Sequence, residues 1–326
     1  MCKRFICVLI SVGLIALVGL SIMTFKLDMK HYKLTKKNVL YYQNNVINND
    51  NNPIELVPTN HDFSMFISTR DGCVSSIIRS TGTWEQEIVD TLKRFVHPDS
   101  IVLHLGAHIG FDDILLGKLV GNNGKVYSFE ANPESYDISR KNIIINNLEN
   151  NVTLYPLGVG DKESDNTSAP LCFNYDNTGG AFVDSHADAK YSKCSEIKLV
   201  ALDSILKEVP RIDVLFMDIE GYEIKAMSGG ENLLKRSPNA VIIAEWNNKY
   251  FQRAGSDQAQ FLKTYHEAGY RFFDIVQSYN HSSVNYQYIE MDIAELLDHK
   301  VDGINILILP KGFTIEENLQ KLFRFK

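Results

Sequence analysis

The chain has 326 residues, of which 44% are hydrophobic and 22% charged, and these proportions are those of a folded globular protein. Its net charge of −7 is uneven: residues 1–40 carry seven Lys or Arg and one acid, whereas residues 41–326 carry 26 basic and 39 acidic groups. A body this acidic repels a phosphate backbone, so the composition argues against a nucleic-acid partner.

The first predicted element is a membrane anchor over residues 5–25, FICVLISVGLIALVGLSIMTF, which a tail of residues 1–4 precedes. The run contains no charge, and as a helix it spans roughly 30 Å, the thickness of a bilayer core. It is longer than the apolar region of a signal peptide, and no A-x-A-like cleavage site follows it. We therefore predict a single-pass, uncleaved signal-anchor.

Two signals disagree on which side of the membrane the body lies. The lysines that follow the anchor favour a cytoplasmic body. Three glycosylation sequons, which begin at Asn151, Asn166 and Asn280, favour a lumenal body and a glycoprotein. The expectation leans toward the lumenal arrangement, that of a type II protein of the Golgi or secretory pathway.

Residues 26–60 are basic and then Asn-rich, which predicts a linker. Residues 61–326 are predicted to form one domain with its core over 81–310. We expect it to begin with a short strand pair in DFSMFISTRDGCVSSII, followed by a helix that Thr83 and Gln86 open as a capping box.

From residue 100 onward, buried strands alternate with amphipathic helices, and Asn132 with Pro133 marks the start of one of these helices. The predicted strands are SIVLHL, GKVYSFE, NVTLYPL, RIDVLFMD, NAVIIAEW, YRFFDIV and INILILP. Repeated strand–helix units predict an α/β fold with a Rossmann-like, mostly parallel sheet of about seven strands and helices on both faces. Polar, glycine-rich sequence over about 161–200 predicts an insertion or lid.

The cysteines leave one question open. Cys172 and Cys194 are able to form a disulfide in an oxidising compartment, and two free thiols are the alternative. The sequence has no C-x-x-C pair, which argues against a zinc site.

Ligands of such sheets bind beyond the carboxyl ends of the strands, and this rule selects four turns. They are Gly106–Gly110, Glu130–Pro133, Gly158–Asp161 and Asp218–Glu223. The first is glycine-bearing and opens a helix, and the carboxylate of Glu130 is able to accept hydrogen bonds from both ribose hydroxyls of a nucleoside. Together the two turns predict a nucleoside cofactor site.

The segment GAHIGF lacks the G-x-G-x-x-G of dinucleotide-binding turns, because His108 and Phe111 occupy the second and third glycine positions. A nicotinamide cofactor, and with it an NAD-dependent oxidoreductase, is therefore disfavoured. The remaining G-x-x-x-G is typical of the turn in S-adenosylmethionine enzymes.

These pieces resemble the FkbM family of S-adenosylmethionine-dependent methyltransferases over about residues 81–246. The most specific piece is MDIEGYE, residues 217–223, which is similar to the family's Asp-x-Glu-Gly-x-Glu motif. The resemblance implies a class I methyltransferase sheet and S-adenosylmethionine as cofactor. It also implies O-methylation of a hydroxyl on a glycan, a glycolipid or a small metabolite.

Four carboxylates at the ends of two neighbouring strands are the predicted catalytic residues: Asp218, Glu220, Glu223 and Glu245. Crowded carboxylates raise one another's pKa, which suits a general base near neutral pH. They are also able to orient a cationic cofactor or to hold a divalent metal, although a metal is not favoured and no metal ligand is assigned. For Glu223 the alternative is a charge that opens a helix.

The predicted cofactor-binding residues come from the four turns, from the strand before the first turn and from the start of the resembling region. They are Glu85, His104, Gly106, Ala107, His108, Gly110, Glu130, Asn132, Gly160, Asp161 and Asp218.

The chain departs from the family pattern at two positions that bear on activity. His104 stands where the family usually has an Asp before the glycine turn, and Phe216 stands where it usually has a Lys. His108 also replaces a typical Asn, whose hydrogen-bond donor it retains. One expectation is a tolerated rearrangement, and the other is a membrane-anchored pseudoenzyme with a degenerate cofactor site.

Overall fold

The computed structural model describes residues 53–183, 191–280, 283–298 and 303–326, without the side chains of 278–280 and 283–285. The predicted anchor over residues 5–25 and the linker up to residue 52 lie outside this described part. Among the described residues, no helix is long and apolar enough to cross a membrane.

The centre of the fold is a parallel sheet that matches the first five predicted strands of the α/β repeat. Its strands are β3 (Ile101–Leu105), β4 (Lys125–Phe129), β5 (Val152–Tyr155), β10 (Val214–Met217) and β11 (Val241–Trp246). The spatial order is β5-β4-β3-β10-β11, and all four pairings are parallel. The carboxyl ends of these strands therefore share one edge of the sheet.

Within the described residues the sheet continues to nine strands, more than the seven predicted, and the extension is largely antiparallel. It consists of β14 (Ile304–Leu309), β12 (Arg271–Asn280), β13 (Ser283–Met291) and β15 (Phe323–Arg324). The direction changes because β12 turns directly into β13 without a crossover helix, and the sequence analysis did not predict β13.

The α-helices of the described residues flank this sheet and fill the connections between its strands. They are α1 (Val74–Thr81), α2 (Gln86–Phe95), α3 (Phe111–Leu119), α4 (Pro133–Ile145), α5 (Leu202–Ile205), α6 (Glu223–Gly229), α7 (Glu231–Lys235), α8 (Asn248–Ala254), α9 (Gln258–Glu267), α10 (Ile293–Leu297) and α11 (Glu317–Gln320). Apolar side chains of the parallel strands are buried beneath them, among them Leu103, Leu215 and Met217.

Of the two predicted helix N-termini, one is confirmed and the other is wrong. The N-cap at Asn132 is confirmed, because its side chain accepts a hydrogen bond from the backbone of Glu134 at 3.0 Å. The capping box at Thr83 is wrong: α2 begins at Gln86, and its N-cap is Glu85, which has a left-handed backbone with φ of 33°. Thr83 instead donates to the side chain of Gln86 at 3.0 Å.

The N-terminal strand pair is shifted from its predicted place. Strands β1 (Ile54–Pro58) and β2 (Ser64–Ser68) pair antiparallel, so the folded domain begins within the segment predicted as linker. Residues 74–81 are helical rather than extended. The carboxylate of Asp71 accepts the backbone N–H groups of Cys73 and Ser75, at 3.1 and 2.8 Å, and so caps that helix.

The predicted insertion is a second, four-stranded sheet, which we call the insertion sheet. It consists of β6 (Gly158–Gly160), β7 (Ser168–Asn174), β8 (Asn177–Val183) and β9 (Lys193–Ala201) in the order β6-β9-β7-β8. Cys172 and Cys194 are cross-strand partners of β7 and β9 and form a disulfide. Of the two states left open above, the structure therefore has the bonded one.

Candidate active site

A cavity of about 480 Å³ lies beyond the carboxyl ends of the parallel strands, where the insertion sheet covers them. The first, second and fourth predicted turns all contribute to its wall. The third contributes Gly158 and Val159, whereas Gly160 and Asp161 are not among the lining residues. The topology thus brings most of the predicted site to one place.

The glycine turn after β3 packs directly on the turn after β10. Gly106 has φ of +98°, and a Cβ there would lie 1.9 Å from the carbonyl oxygen of Asp218. Gly110 has φ of +85° and precedes α3. Since an L side chain at Gly106 would clash with backbone, this glycine is what allows the cofactor turn and the Asp218 turn to touch.

Glu130 ties the first two turns together. Its carboxylate accepts the backbone N–H of His108 at 2.6 Å through one oxygen and that of Asn132 at 2.6 Å through the other. Burial raises the pKa of Glu130 to about 7, although both amide hydrogen bonds lower it. The predicted ribose acceptor is therefore held rigidly at the cavity wall.

His108 belongs to the insertion sheet as much as to the cofactor turn. Its backbone is left-handed, with φ of 46°, and its Nε2 lies 2.8 Å from the hydroxyl of Thr178 on β8. Burial lowers the pKa of His108 to about 4, against a smaller opposing effect of Asp71. The ring is therefore neutral, and it links the turn to the cover of the cavity.

His104 is fully buried below the turn and pairs with an acid that the sequence analysis missed. Its Nδ1 lies 2.7 Å from Asp113 Oδ1, and Asp113 also accepts the hydroxyls of Ser128 at 2.6 Å and Ser139 at 3.2 Å. Burial lowers the pKa of His104, but the hydrogen bond and the charge of Asp113, helped by Asp112, outweigh it and raise the pKa overall. His104 Nε2 is buried and has no hydrogen-bond partner among the described residues.

The two departures from the family pattern form one contact. His104 and Phe216 are directly opposed on the neighbouring strands β3 and β10. Their rings stack with centroids 4.8 Å apart and an angle of 3° between the planes. The acid and the base that the resemblance implies at these two positions would likewise face each other, so both departures fall on one cross-strand pair.

Seven acids line the cavity among its apolar and glycine residues, and we call them the acidic wall. Its seven members are Glu85, Glu87, Asp112, Glu130, Asp218, Glu220 and Glu245. Among the described residues, no Lys or Arg lines the cavity. The wall therefore favours positively charged groups.

Burial and crowding change the protonation of this wall. Burial, followed by the charge of Asp218, raises the pKa of Glu245 to about 10, that of Glu85 to about 9 and that of Glu220 to about 8. Asp112 is raised to about 7, mainly by burial. The pKa of Asp218 is itself raised by burial, and the nearby His104 charge works in the opposite direction. Several of these groups therefore titrate near neutral pH.

Three of the predicted catalytic carboxylates form a compact group. Asp218, Glu220 and Glu245 each offer an oxygen, and these oxygens lie within 4.8 Å of one another. Oxygen atoms so arranged suit a hard divalent cation, an option that the sequence analysis kept without favouring it.

Glu223, the fourth predicted catalytic residue, does not line the cavity. It is 3% exposed, begins α6, and accepts the backbone N–H of Ile219 at 2.9 Å. Its place supports the alternative that it opens the helix, and it also braces the turn that carries Asp218. Gly221 in this turn has φ of +103°, and a Cβ there would lie 2.5 Å from the Tyr250 carbonyl oxygen.

Of the remaining predicted residues, some line the cavity and the others lie behind or outside it. Glu85 and Ala107 line the cavity, whereas Asn132 and Gly110 shape the turns behind it. Asp161 lies outside, where its carboxylate accepts the backbone and hydroxyl of Ser164 at 2.8 and 2.5 Å.

Glu87, Asp112, Tyr222 and Tyr250 also line the cavity and were not predicted as site residues. Asp113, which lies below the turn, was not predicted either. Asp112 and Asp113 lie in the first turn of the helix that the glycine turn opens. The position of Asp112 was a usable signal, because the start of a helix that follows such a turn lies beside the ligand.

Comparisons with known proteins agree with this arrangement. The family described as Methyltransferase FkbM domain matches residues 104–272. A curated relative, the hexuronic acid methyltransferase AglP of Haloferax volcanii, is 24% identical over 161 residues, which are 49% of this chain and 61% of that protein. The match thus spans less than two thirds of the relative's length.

Two solved structures are also similar. One is an O-methyltransferase from Bacillus cereus in complex with SAH, with 17% identity, a TM-score of 0.40, and coverage of 70% of this chain and 82% of that one. The other is a SAM-dependent O-methyltransferase from Thermotoga maritima, with 13% identity, a TM-score of 0.37, and coverage of 81% and 79%. The family match covers more than half of the chain, and this chain therefore belongs to the FkbM methyltransferase family.

Proposed function

We propose that this chain is an S-adenosylmethionine-dependent methyltransferase that methylates a hydroxyl group of a glycan, a glycolipid or a small metabolite. The observation that carries the proposal is the contact between the glycine turn at Gly106 and the backbone of Asp218, beside Glu130. It joins a nucleoside-type turn to a group of carboxylates in one cavity.

The residues present fit the cofactor. Gly106 keeps the turn free of side-chain atoms, so a ligand is able to approach its backbone closely. Each carboxylate oxygen of Glu130 accepts one amide and retains capacity for a ribose hydroxyl. The acidic wall suits the positive sulfonium and ammonium groups of the cofactor. Among the described residues, no Lys or Arg lines the cavity and competes with these groups for the acids.

S-adenosylmethionine, when bound, supplies an electrophilic methyl group on a cationic sulfur. The part of this chain is to hold the acceptor hydroxyl, exclude water and take up the hydroxyl proton. Asp218 is the favoured base, because it lies at the contact of the two turns and burial raises its pKa. Glu220 and Glu245, whose oxygens lie within 4.8 Å of those of Asp218, orient the acceptor.

The balance of the reaction is simple. The hydroxyl oxygen forms a bond to the methyl carbon, the carbon–sulfur bond breaks, and its electron pair stays on sulfur. The proton goes to the carboxylate. The name of the Haloferax relative supports a sugar as the acceptor, although it describes that protein alone.

We also propose that residues 5–25 hold the protein at a membrane with its body on the lumenal side. The disulfide between Cys172 and Cys194 and the exposed sequon at Asn166 support this side. Asn151 is a poor acceptor when folded, since its amide donates to the carbonyls of Gly121 at 2.6 Å and Gly124 at 3.1 Å. A mobility shift on glycosidase treatment that Asn166→Gln removes supports this placement, and no shift counts against it.

The function is tested by two measurements on one preparation. Calorimetric titration with S-adenosylhomocysteine is expected to show micromolar binding, and labelled S-adenosylmethionine is expected to transfer its methyl group to a hydroxylated glycan or lipid from a panel. A protein that does not bind S-adenosylhomocysteine contradicts the proposal and favours the pseudoenzyme alternative.

A further inference from the structure

The part of the cavity near Glu220 and Glu245 combines carboxyl groups with aromatic rings. Tyr222, Tyr250 and Phe182 line it together with these two acids, and Phe182 comes from the insertion sheet. A sugar ring presents C–H faces that pack on aromatic rings, and hydroxyls that both donate and accept hydrogen bonds. Carboxyl groups accept when ionised and donate when protonated, so they match such hydroxyls.

Arg253 lies beside this region, and its guanidinium is already engaged. Arg253 donates from Nη2 to the carbonyl oxygen of Glu220 at 2.8 Å and lies 3.9 Å from its carboxylate. Its guanidinium stacks between two rings, with Cζ 3.7 Å from the centroid of Phe182 and 4.5 Å from that of Tyr250. This sandwich joins the insertion sheet to α8, and Arg253 itself is not among the lining residues.

A carboxylate on the acceptor would lose its hydration in this part of the cavity, where burial and crowding already disfavour the ionised form of Glu220 and Glu245. The acidic wall has seven carboxyl groups, and among the described residues no cationic side chain lines the same cavity. A carboxylate brought against such a wall loses its hydration and finds no bidentate partner of the kind that Arg provides.

We propose that the acceptor of this enzyme is an uncharged sugar ring and that the acidic wall excludes sugars bearing a carboxylate. This inference rests on the proposed methyltransferase function and specifies its substrate class. Contacts with the lining residues Tyr222, Tyr250 and Phe182 hold the sugar ring, and Glu220 and Glu245 select its hydroxyls.

The test uses the full-length chain in detergent, saturated with S-adenosylhomocysteine, and matched pairs of ligands. Each pair is a methyl hexopyranoside and the methyl glycoside of the corresponding uronic acid, in the gluco and galacto series. Ligand-observed saturation-transfer NMR is expected to detect the neutral member at least about tenfold more strongly than the uronide. Equal binding, or stronger binding of the uronide, overturns the proposal.

A pair of variants makes the charge argument specific. Phe182→Lys adds a cation to the cavity wall, whereas Phe182→Met removes the same ring without adding charge. We expect the lysine variant to bind the uronide several-fold more tightly than the methionine variant does. If both variants treat the uronide alike, charge does not determine the selection and the proposal fails.

Two further arms separate the possible failures. Each measurement is repeated with Mg²⁺ and with EDTA, because a divalent cation held by Asp218, Glu220 and Glu245 would recruit a carboxylate. Binding of the uronide that depends on Mg²⁺ overturns the proposal. Loss of S-adenosylhomocysteine binding refutes the methyltransferase function itself, whereas retained binding without any signal from the neutral glycosides refutes only the substrate class.

Discussion

The half of the cavity around the cofactor turn and the half around Asp218 differ in whether their carboxyl groups have hydrogen-bond partners. Around the cofactor turn, two acids have partners: Glu130 holds two backbone amides, and Asp113 holds His104 and two serine hydroxyls. Around Asp218, Glu220 and Glu245, carboxyl groups crowd together and Arg253 touches only the edge. In the first half these hydrogen bonds form without a ligand. In the second half the carboxyl groups repel one another when ionised, and a bound ligand is able to reduce this repulsion.

The largest expected effect tests the second half. Asp218→Asn should lower methyl transfer by about 10³-fold, because it removes the base while keeping the shape of the side chain. Binding of S-adenosylhomocysteine should persist within a few-fold, since the turn contact at Gly106 uses the Asp218 backbone. Transfer measured with labelled cofactor checks the first outcome and calorimetry the second. An active variant would remove Asp218 from its assigned role.

The next effect tests the first half. His104→Leu removes one partner of a buried pair and leaves Asp113 without its cation, so the free energy of unfolding should fall by about 3 kcal/mol or more. The matched change Phe216→Leu removes only the stacked ring and should cost about 1 kcal/mol. Urea denaturation measures both. Equal losses would show that the Asp113 pair adds nothing to the stack.

The dependence of stability on pH distinguishes the halves directly. The pKa values of Glu220, Glu85 and Glu245 are raised to about 8, 9 and 10, so the folded state binds more protons than the unfolded state above about pH 5. Stability should therefore be highest at low pH within this range. Between pH 6 and pH 9 the free energy of unfolding should therefore decrease, and each group that stays protonated in the folded state over these three pH units contributes about 4 kcal/mol to the decrease.

The variant Glu245→Gln should flatten this profile, because it removes one of the crowded acids. The exposed Glu317→Gln, on α11, serves as the matched control and should leave the slope unchanged. Stability that rises between pH 6 and pH 9 would contradict the account of the acidic wall.

The smallest effect concerns the link between the cofactor turn and the insertion sheet. Thr178→Val removes the hydroxyl that lies 2.8 Å from His108 Nε2 and should cost about 1 kcal/mol of stability. Thr167→Val, which removes an exposed hydrogen bond to Ser164, should stay within about 0.5 kcal/mol. Thermal denaturation of both variants checks the difference. A similar loss of stability at the two positions would mean that the hydrogen bond between His108 and Thr178 does not stabilise the fold.

The sequence contained most of the signal for the parallel sheet and its turns. Periodicity placed the five parallel strands, and the rule that ligands bind at their carboxyl ends selected Gly106, Glu130 and Asp218 before the structure was known. The strand positions are confirmed, and the three residues lie at one cavity, because both outcomes depend on local pattern and on a topology that many sequences share.

The features that the sequence did not predict depend on contacts between segments that are distant along the chain. Nothing local indicates that His104 and Phe216 face each other, since the register of β3 against β10 decides it. The pairing of β7 with β9, which positions the disulfide, is likewise a long-range choice. Glu85 shows the same limit: its left-handed backbone moves the start of α2 and directs the acid to the cavity, against the capping pattern of Thr83.

The central claim is that the first half of the cavity binds the cofactor although His104 replaces an acid. Calorimetric titration of the full-length protein with S-adenosylhomocysteine tests it most directly. The account predicts a single site with micromolar affinity, and Glu130→Gln, which alters the ribose acceptor, should weaken that affinity at least about tenfold. Absence of binding to the unmodified protein, under conditions in which it is folded, would contradict the account.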